Sequence, residues 1–134
     1  MSDLVIDTHA AVWYFAKSPQ MSVNARNAVN NAVAGGNAII LPTISIIEII
    51  YLIEKGRLIP QTLTNLMQAL RLPNSSFISE DLTKEIAQTL TQIPRSIVPE
   101  MPDRIIAATA LYLNLPLVTK DSKIRALKNI QTIW

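Results

Sequence analysis

Four carboxylates, Asp7, Glu48, Asp103 and Asp121, are the residues of this chain that could together do chemistry. Asp7 closes the wholly apolar run Leu4-Val5-Ile6, and Glu48 interrupts Ile44-x-Ile46-Ile47-Glu48-Ile49-Ile50. A charge in such surroundings is costly unless something pairs with it, and few lysines or arginines flank either residue. A divalent cation is the natural partner. Hard oxygen ligands, with waters completing the shell, suit Mg2+ or Mn2+ rather than zinc. Such clusters serve phosphodiester hydrolysis, where one or two metals neutralise the scissile phosphate, acidify a water and stabilise the leaving oxygen. No protein nucleophile is then required, which fits a chain with no cysteine and one histidine, His9.

Each acid also has an ordinary explanation. Ser45-x-x-Glu48 matches a capping box. Asp103, just after Pro102, suits the first turn of a helix, and Asp121 could cap the helix that follows it. Asp7 could open a turn.

The elements that must position these acids follow from the apolar periodicity. Leu4-Val5-Ile6 reads as a buried strand, and His9 to Phe15 as a helix. Ser22 is placed to cap a helix running to about Val33 and closed by Gly35-Gly36. Residues 38–41 form a second strand. Pro42-Thr43 turns the chain into a helix from about Ser45 to Lys55, which Gly56 stops. Pro60 introduces a helix over 61–71, with Leu63, Leu66, Met67 and Leu70 at helical spacing. Residues 76–78 are a weak strand, after which Ser79 caps a helix carrying Glu80 and Asp81 in its first turn and ending at Pro94. A loop holding Pro99 leads to the helix at Pro102, closed by Asn114-Leu115-Pro116. Leu117-Val118-Thr119 is a strand, 121–127 a short helix and 130–134 a last strand. This alternation predicts one domain, 1–134, with a three-layer α/β/α sandwich and a mostly parallel central sheet. In such sheets ligands bind beyond the carboxyl ends of the strands, where all four acids can meet.

Composition limits the function classes. The chain has 134 residues, 49% of them hydrophobic and 16% charged, enough for a packed core and unlike a disordered tail. The absence of cysteine excludes disulfides, zinc–thiolate sites and thiol catalysis, and suits a reducing cytoplasm. The net charge is only +2, but the segment from Arg104 onward carries five basic residues against one acid, Asp121. A basic rim around an acidic centre suits a phosphate-chain substrate with a metal, and equally a solvated lysine-rich face. Residues 38–53 are apolar, yet the run is short and broken by Pro42, Ser45 and Glu48, so no membrane span is expected. The N-terminus lacks a basic region and a small-residue cleavage site, and the expected location is the cytoplasm.

Taken together these residues resemble a PIN domain, and more narrowly a VapC-type toxin ribonuclease of a type II toxin–antitoxin system. Val5-Ile6-Asp7-Thr8 resembles the family's opening strand with its acid and hydroxyl. Ser45-x-x-Glu48 resembles the second motif, Asp103-Arg104-Ile105-Ile106-Ala107-Ala108-Thr109-Ala110 the third, and Leu117-Val118-Thr119-Lys120-Asp121 the fourth. The resemblance implies a Mg2+-dependent endoribonuclease (Mn2+ being the alternative ion) on a parallel sheet. Asp7, Glu48, Asp103 and Asp121 would be the metal-binding catalytic acids, and Thr8 and Thr119 supporting hydroxyls. It also implies RNA as substrate, a homodimer or higher even oligomer, and a cognate antitoxin covering the active-site groove. The helices at 45–55 and 61–71 are the candidate surfaces for these partners. The motif departs from the family in Asp7-Thr8-His9, where His9 could touch RNA or serve structurally; Trp13 reads first as core.

Three other classes compete. An inactive PIN-fold interaction module would keep the fold, although all four acids are present. An aspartyl-phosphate phosphatase would carry a second Asp two residues after the first, where this chain has His9. A receiver-type domain would need an acid pair near the first strand and a phosphoacceptor on a middle strand, whereas the only acid pair, Glu80-Asp81, reads as opening a helix.

Overall fold

The computed structural model describes residues 2–134. Its centre is a five-stranded, wholly parallel sheet: β1 (Leu4–Ile6), β2 (Ile39–Pro42), β3 (Phe77–Glu80), β4 (Leu117–Val118) and β5 (Thr132–Ile133), in the order β3-β2-β1-β4-β5. The registers place Leu4 beside Ile39, Val5 beside both Ile40 and Leu117, and Ile6 beside Val118. Side chains alternate across a strand, so each apolar run feeds two cores at once. Leu4, Ile6, Ile39, Leu41 and Val118 pack on one face; Val5, Ile40 and Leu117 pack on the other.

Helices cover both faces. α1 (Thr8–Phe15), α2 (Val23–Ala34) and α4 (Pro60–Arg71) close the first core through Ala10, Ala11, Ala25, Val29 and Leu66. α5 (Lys84–Thr89), α6 (Met101–Leu113) and α7 (Ser122–Arg125) close the second through Ile86, Ile105, Ile106 and Ile124. α3 (Thr43–Glu54) contributes to both, with Ile49 in one core and Ile44 in the other. Its far side leaves Ile47 and Tyr51 exposed. No helix among the described residues is long and apolar enough to cross a membrane.

Most expected punctuation operates. Ser22 accepts from Ala25 N to cap α2, and Gly36 and Gly56 take the left-handed conformation, φ +78° and +74°, just past α2 and α3. Two expectations are corrected. Ser79 caps nothing: Phe77 to Glu80 pair with Ile39 to Pro42 as an edge strand, and Thr83 caps the following helix by accepting from Ile86 N. The helix after β2 starts at Thr43, with Pro42 in the cap position, so Ser45 lies inside it and makes no capping box with Glu48. Ser45 is fully buried.

Arg104 holds the approach to α6. Its guanidinium donates to Ile93 O from Nε (3.2 Å) and Nη2 (2.9 Å), and to Leu90 O (2.8 Å), clamping the 3-10 turn Leu90–Gln92 to the helix. Charged hydrogen bonds contribute about 1.5–3 kcal/mol each and share one side chain here, so Arg104→Ala is expected to cost about 2–4 kcal/mol by urea denaturation. Arg104→Lys should recover little, because an ammonium lacks the planar fork. Parental stability in either variant would remove this clamp from the account.

Candidate metal and active site

The sheet reverses its direction of winding at β1, flanked by β2 on one side and β4 on the other, and ligands in open parallel sheets bind just beyond such a point. The main cleft, about 590 Å³, opens there and is lined by Asp7, Glu48, Asp103 and Asp121 together. Four acids distant in sequence therefore share one cavity.

Each is set by a different local device. Asp7 follows β1 and caps α1: its Oδ1 accepts from Ala10 N at 2.9 Å, while Oδ2 accepts a short hydrogen bond from Thr119 Oγ1. Thr119 in turn accepts from Asp121 N at 3.0 Å, so one hydroxyl ties the ends of β1 and β4 to each other. Asp121 caps α7, with Oδ1 accepting from Lys123 N (2.8 Å) and Ile124 N (3.0 Å). Thr8 Oγ1 lies 2.5 Å from Glu48 Oε1 and 2.9 Å from Ser45 Oγ. A hydroxyl has one proton, so Thr8 gives it to the carboxylate and shares its remaining contact with Ser45. Asp103 stands in the first turn of α6, half-buried.

Asp7 is buried, and burial pushes its pKa up, against the opposing pull of the Thr119 and Ala10 hydrogen bonds. Asp103 is pushed up to about 6, first by partial burial and then by Asp121, Glu48, Asp7 and Glu100. Every charge acting on Asp103 is negative. Such a group of mutually repelling hard oxygen donors has a chemistry suited to a divalent cation. The acids share the cleft without forming a finished cage: among the described residues, no three acidic or histidine side chains are gathered tightly enough to enclose an ion. The capping bonds of Asp7 and Asp121 and the Thr8 bond of Glu48 hold these carboxylates in place around the space.

Two charged lining residues, Glu100 and Lys120, were given no role at this site by the sequence. Glu100 occupies the cap position of α6 and adds to the negative field on Asp103. Pro102 in the first helical turn carries the signal, since it fixes the helix start and puts the preceding acid at its mouth. Lys120, between Thr119 and Asp121, also reaches the cleft. Ser45, read as a cap, instead touches the Thr8 hydroxyl. Thr119→Val keeps the shape and removes both hydrogen bonds. It leaves a buried carboxylate under-satisfied and should lower stability by about 1.5–3 kcal/mol in chemical denaturation. No loss on that substitution would mean that Thr119 merely fills space.

The fold and its acidic cleft define a class, and the sequence agrees: residues 4–130 match the PIN domain family, and the chain belongs to it. Among individual proteins, it is 27% identical over 136 residues to Ribonuclease VapC22 of Mycobacterium tuberculosis, a match covering 100% of both chains. Among solved structures it is similar to a chain of the VapBC2 complex of Rickettsia felis bound to a promoter DNA fragment (TM-score 0.72, 19% identity, 97% of this chain and 96% of that one). A chain of the DNA-bound VapBC of Salmonella typhimurium is similar to the same degree (TM-score 0.70, 19% identity, 98% and 97%).

Proposed function

We propose that this chain is a divalent-metal-dependent endoribonuclease, the toxin of a toxin–antitoxin pair, which hydrolyses RNA phosphodiester bonds. The observation that carries the reading is the meeting of Asp7, Glu48, Asp103 and Asp121 in one open cleft at the carboxyl ends of β1 and β4, where partial burial and then the neighbouring carboxylates push Asp103 up to about 6. The ribonuclease name of the Mycobacterium tuberculosis relative supports RNA as substrate, and the VapBC complexes among the structural neighbours support an antitoxin partner. The exposed Ile47 and Tyr51 on α3 offer apolar surface for that partner or for a homodimer.

Asp7 and Asp103 would hold Mg2+ (or Mn2+), with Glu48 and Asp121 completing its surroundings. When bound, the ion supplies charge neutralisation at the phosphate and a water acidic enough to attack it. The chain's part is positional. Thr119 fixes Asp7 Oδ2, Ala10 N fixes Oδ1, and Thr8 fixes Glu48, so these donors need little reorganisation. Burial of Asp7 shields it from water and strengthens its attraction for a cation.

Purified protein, free of antitoxin and shown to be folded, should cut a pool of cellular RNA at discrete sites with Mg2+ and not with EDTA. Cutting that survives EDTA would overturn metal dependence. No cutting at all would shift the reading to an inactive binding module.

A further inference from the structure

The cleft has a second kind of lining that phosphate hydrolysis does not by itself demand. His9 and Trp13 lie four residues apart on one side of α1 and both face the cleft, together with Lys120 from the segment after β4. The His9 and Trp13 rings lie 5.6 Å apart, and Trp13 lies 5.8 Å from Trp134. Trp134 is itself held by Asn24 Nδ2, which donates to its carbonyl at 3.1 Å. Lys120 Nζ stands 5.6 Å from the centre of the Trp13 ring, within cation–π range. The result is a row of three rings, anchored at Trp134 and ending in an imidazole that is exposed to the cleft.

Trp13 packs against the core as the sequence suggests, and it also braces the exposed ring. A braced aromatic surface loses little freedom when a base settles on it, and every base has a face to offer. A lysine on the same lining supplies the charge that the adjoining phosphate needs, within one residue of Asp121.

On the ribonuclease reading, we propose that His9 and Trp13 form a subsite that stacks one unpaired base of the substrate, with Lys120 on the neighbouring phosphate. A duplex keeps its bases stacked on one another and has no free face for the imidazole.

The test is the binding of two fluorescein-labelled octamers, oligouridylate and an abasic chain with the same phosphates, with Ca2+ replacing Mg2+. The wild-type protein should bind the base-bearing octamer about tenfold more tightly. His9→Ala, at an exposed position, should lose most of that preference while binding the abasic chain as before, and His9→Phe should restore it. Lys120→Ala should weaken both octamers alike, about threefold at low salt, and flatten the salt dependence. Equal wild-type binding of the two octamers would overturn the subsite, as would a His9→Ala loss common to both or a His9→Phe protein that behaves like alanine. A parallel cleavage assay in Mg2+ separates the two readings. Base preference without cleavage would keep the subsite and remove the nuclease; cleavage without base preference would do the reverse.

Discussion

Asp103→Asn is expected to lower Mg2+-dependent RNA cleavage at least about a hundredfold, the usual scale for removing one well-placed charge-stabilising group. The substitution keeps size and shape at a half-buried helix start, so the fold should survive. It removes a formal charge from a cleft also lined by Asp7, Glu48, Glu100 and Asp121. Activity should therefore fall while metal-free stability near neutral pH rises, a combination that loss of folding cannot produce. Single-turnover cleavage and thermal unfolding of the same preparation check both halves. A variant that retains activity would remove Asp103 from the metal site.

The second large effect is a stability that falls with rising pH and is restored by Mg2+. Asp103 has a folded pKa of about 6 against 3.8 for the free group, so the folded state holds its proton more tightly than the unfolded state does. The resulting stabilisation is complete below the unfolded value and is lost as pH rises through the folded one. Asp7, also raised, adds to the same slope. The unscreened shift on Asp103 corresponds to about 3 kcal/mol, but the group is half-exposed and solvent reduces this to the order of 1 kcal/mol. Metal-free protein should thus lose roughly 3–5 °C of Tm between pH 4.5 and 7 from these carboxylates. Millimolar Mg2+ should recover it at pH 7 and do little at pH 4.5, where Asp103 is protonated and binds a cation poorly. Asp103→Asn should respond weakly to either change. A Tm that ignores Mg2+ at pH 7 would count directly against a metal site.

The meeting of the four acids was legible because two of them break a strong local pattern and two sit at helix starts beside strand ends. Asp7 ends a fully buried strand, Glu48 interrupts isoleucines, and Asp103 and Asp121 mark helix starts beside the sheet. The parallel topology follows from the same apolar runs, since each divides its side chains between two cores. β3 was harder to read because it is an edge strand. Only Phe77 of its four residues is buried, leaving no apolar run, and the Ser79-Glu80-Asp81 string imitates a helix start. The role of Ser45 was hidden for a different reason. Whether it caps a helix or meets Thr8 depends on a contact 37 residues away, which local pattern does not contain. The ring row from His9 to Trp134 is likewise a product of tertiary packing, since it joins α1 to the far end of the chain.

The hydrogen bond from Thr119 to Asp7 joins residues 112 positions apart. During translation, a nascent chain that has emerged only as far as α6 already has Asp7, Glu48 and Asp103. It still lacks β4, the second of the two strands that pair with β1, the hydroxyl that orients Asp7, and the fourth acid. On the proposed reading, a ribosome making this enzyme works beside an unfinished nuclease. On that reading the acidic site is complete only once β4 and the segment carrying Asp121 have left the exit tunnel.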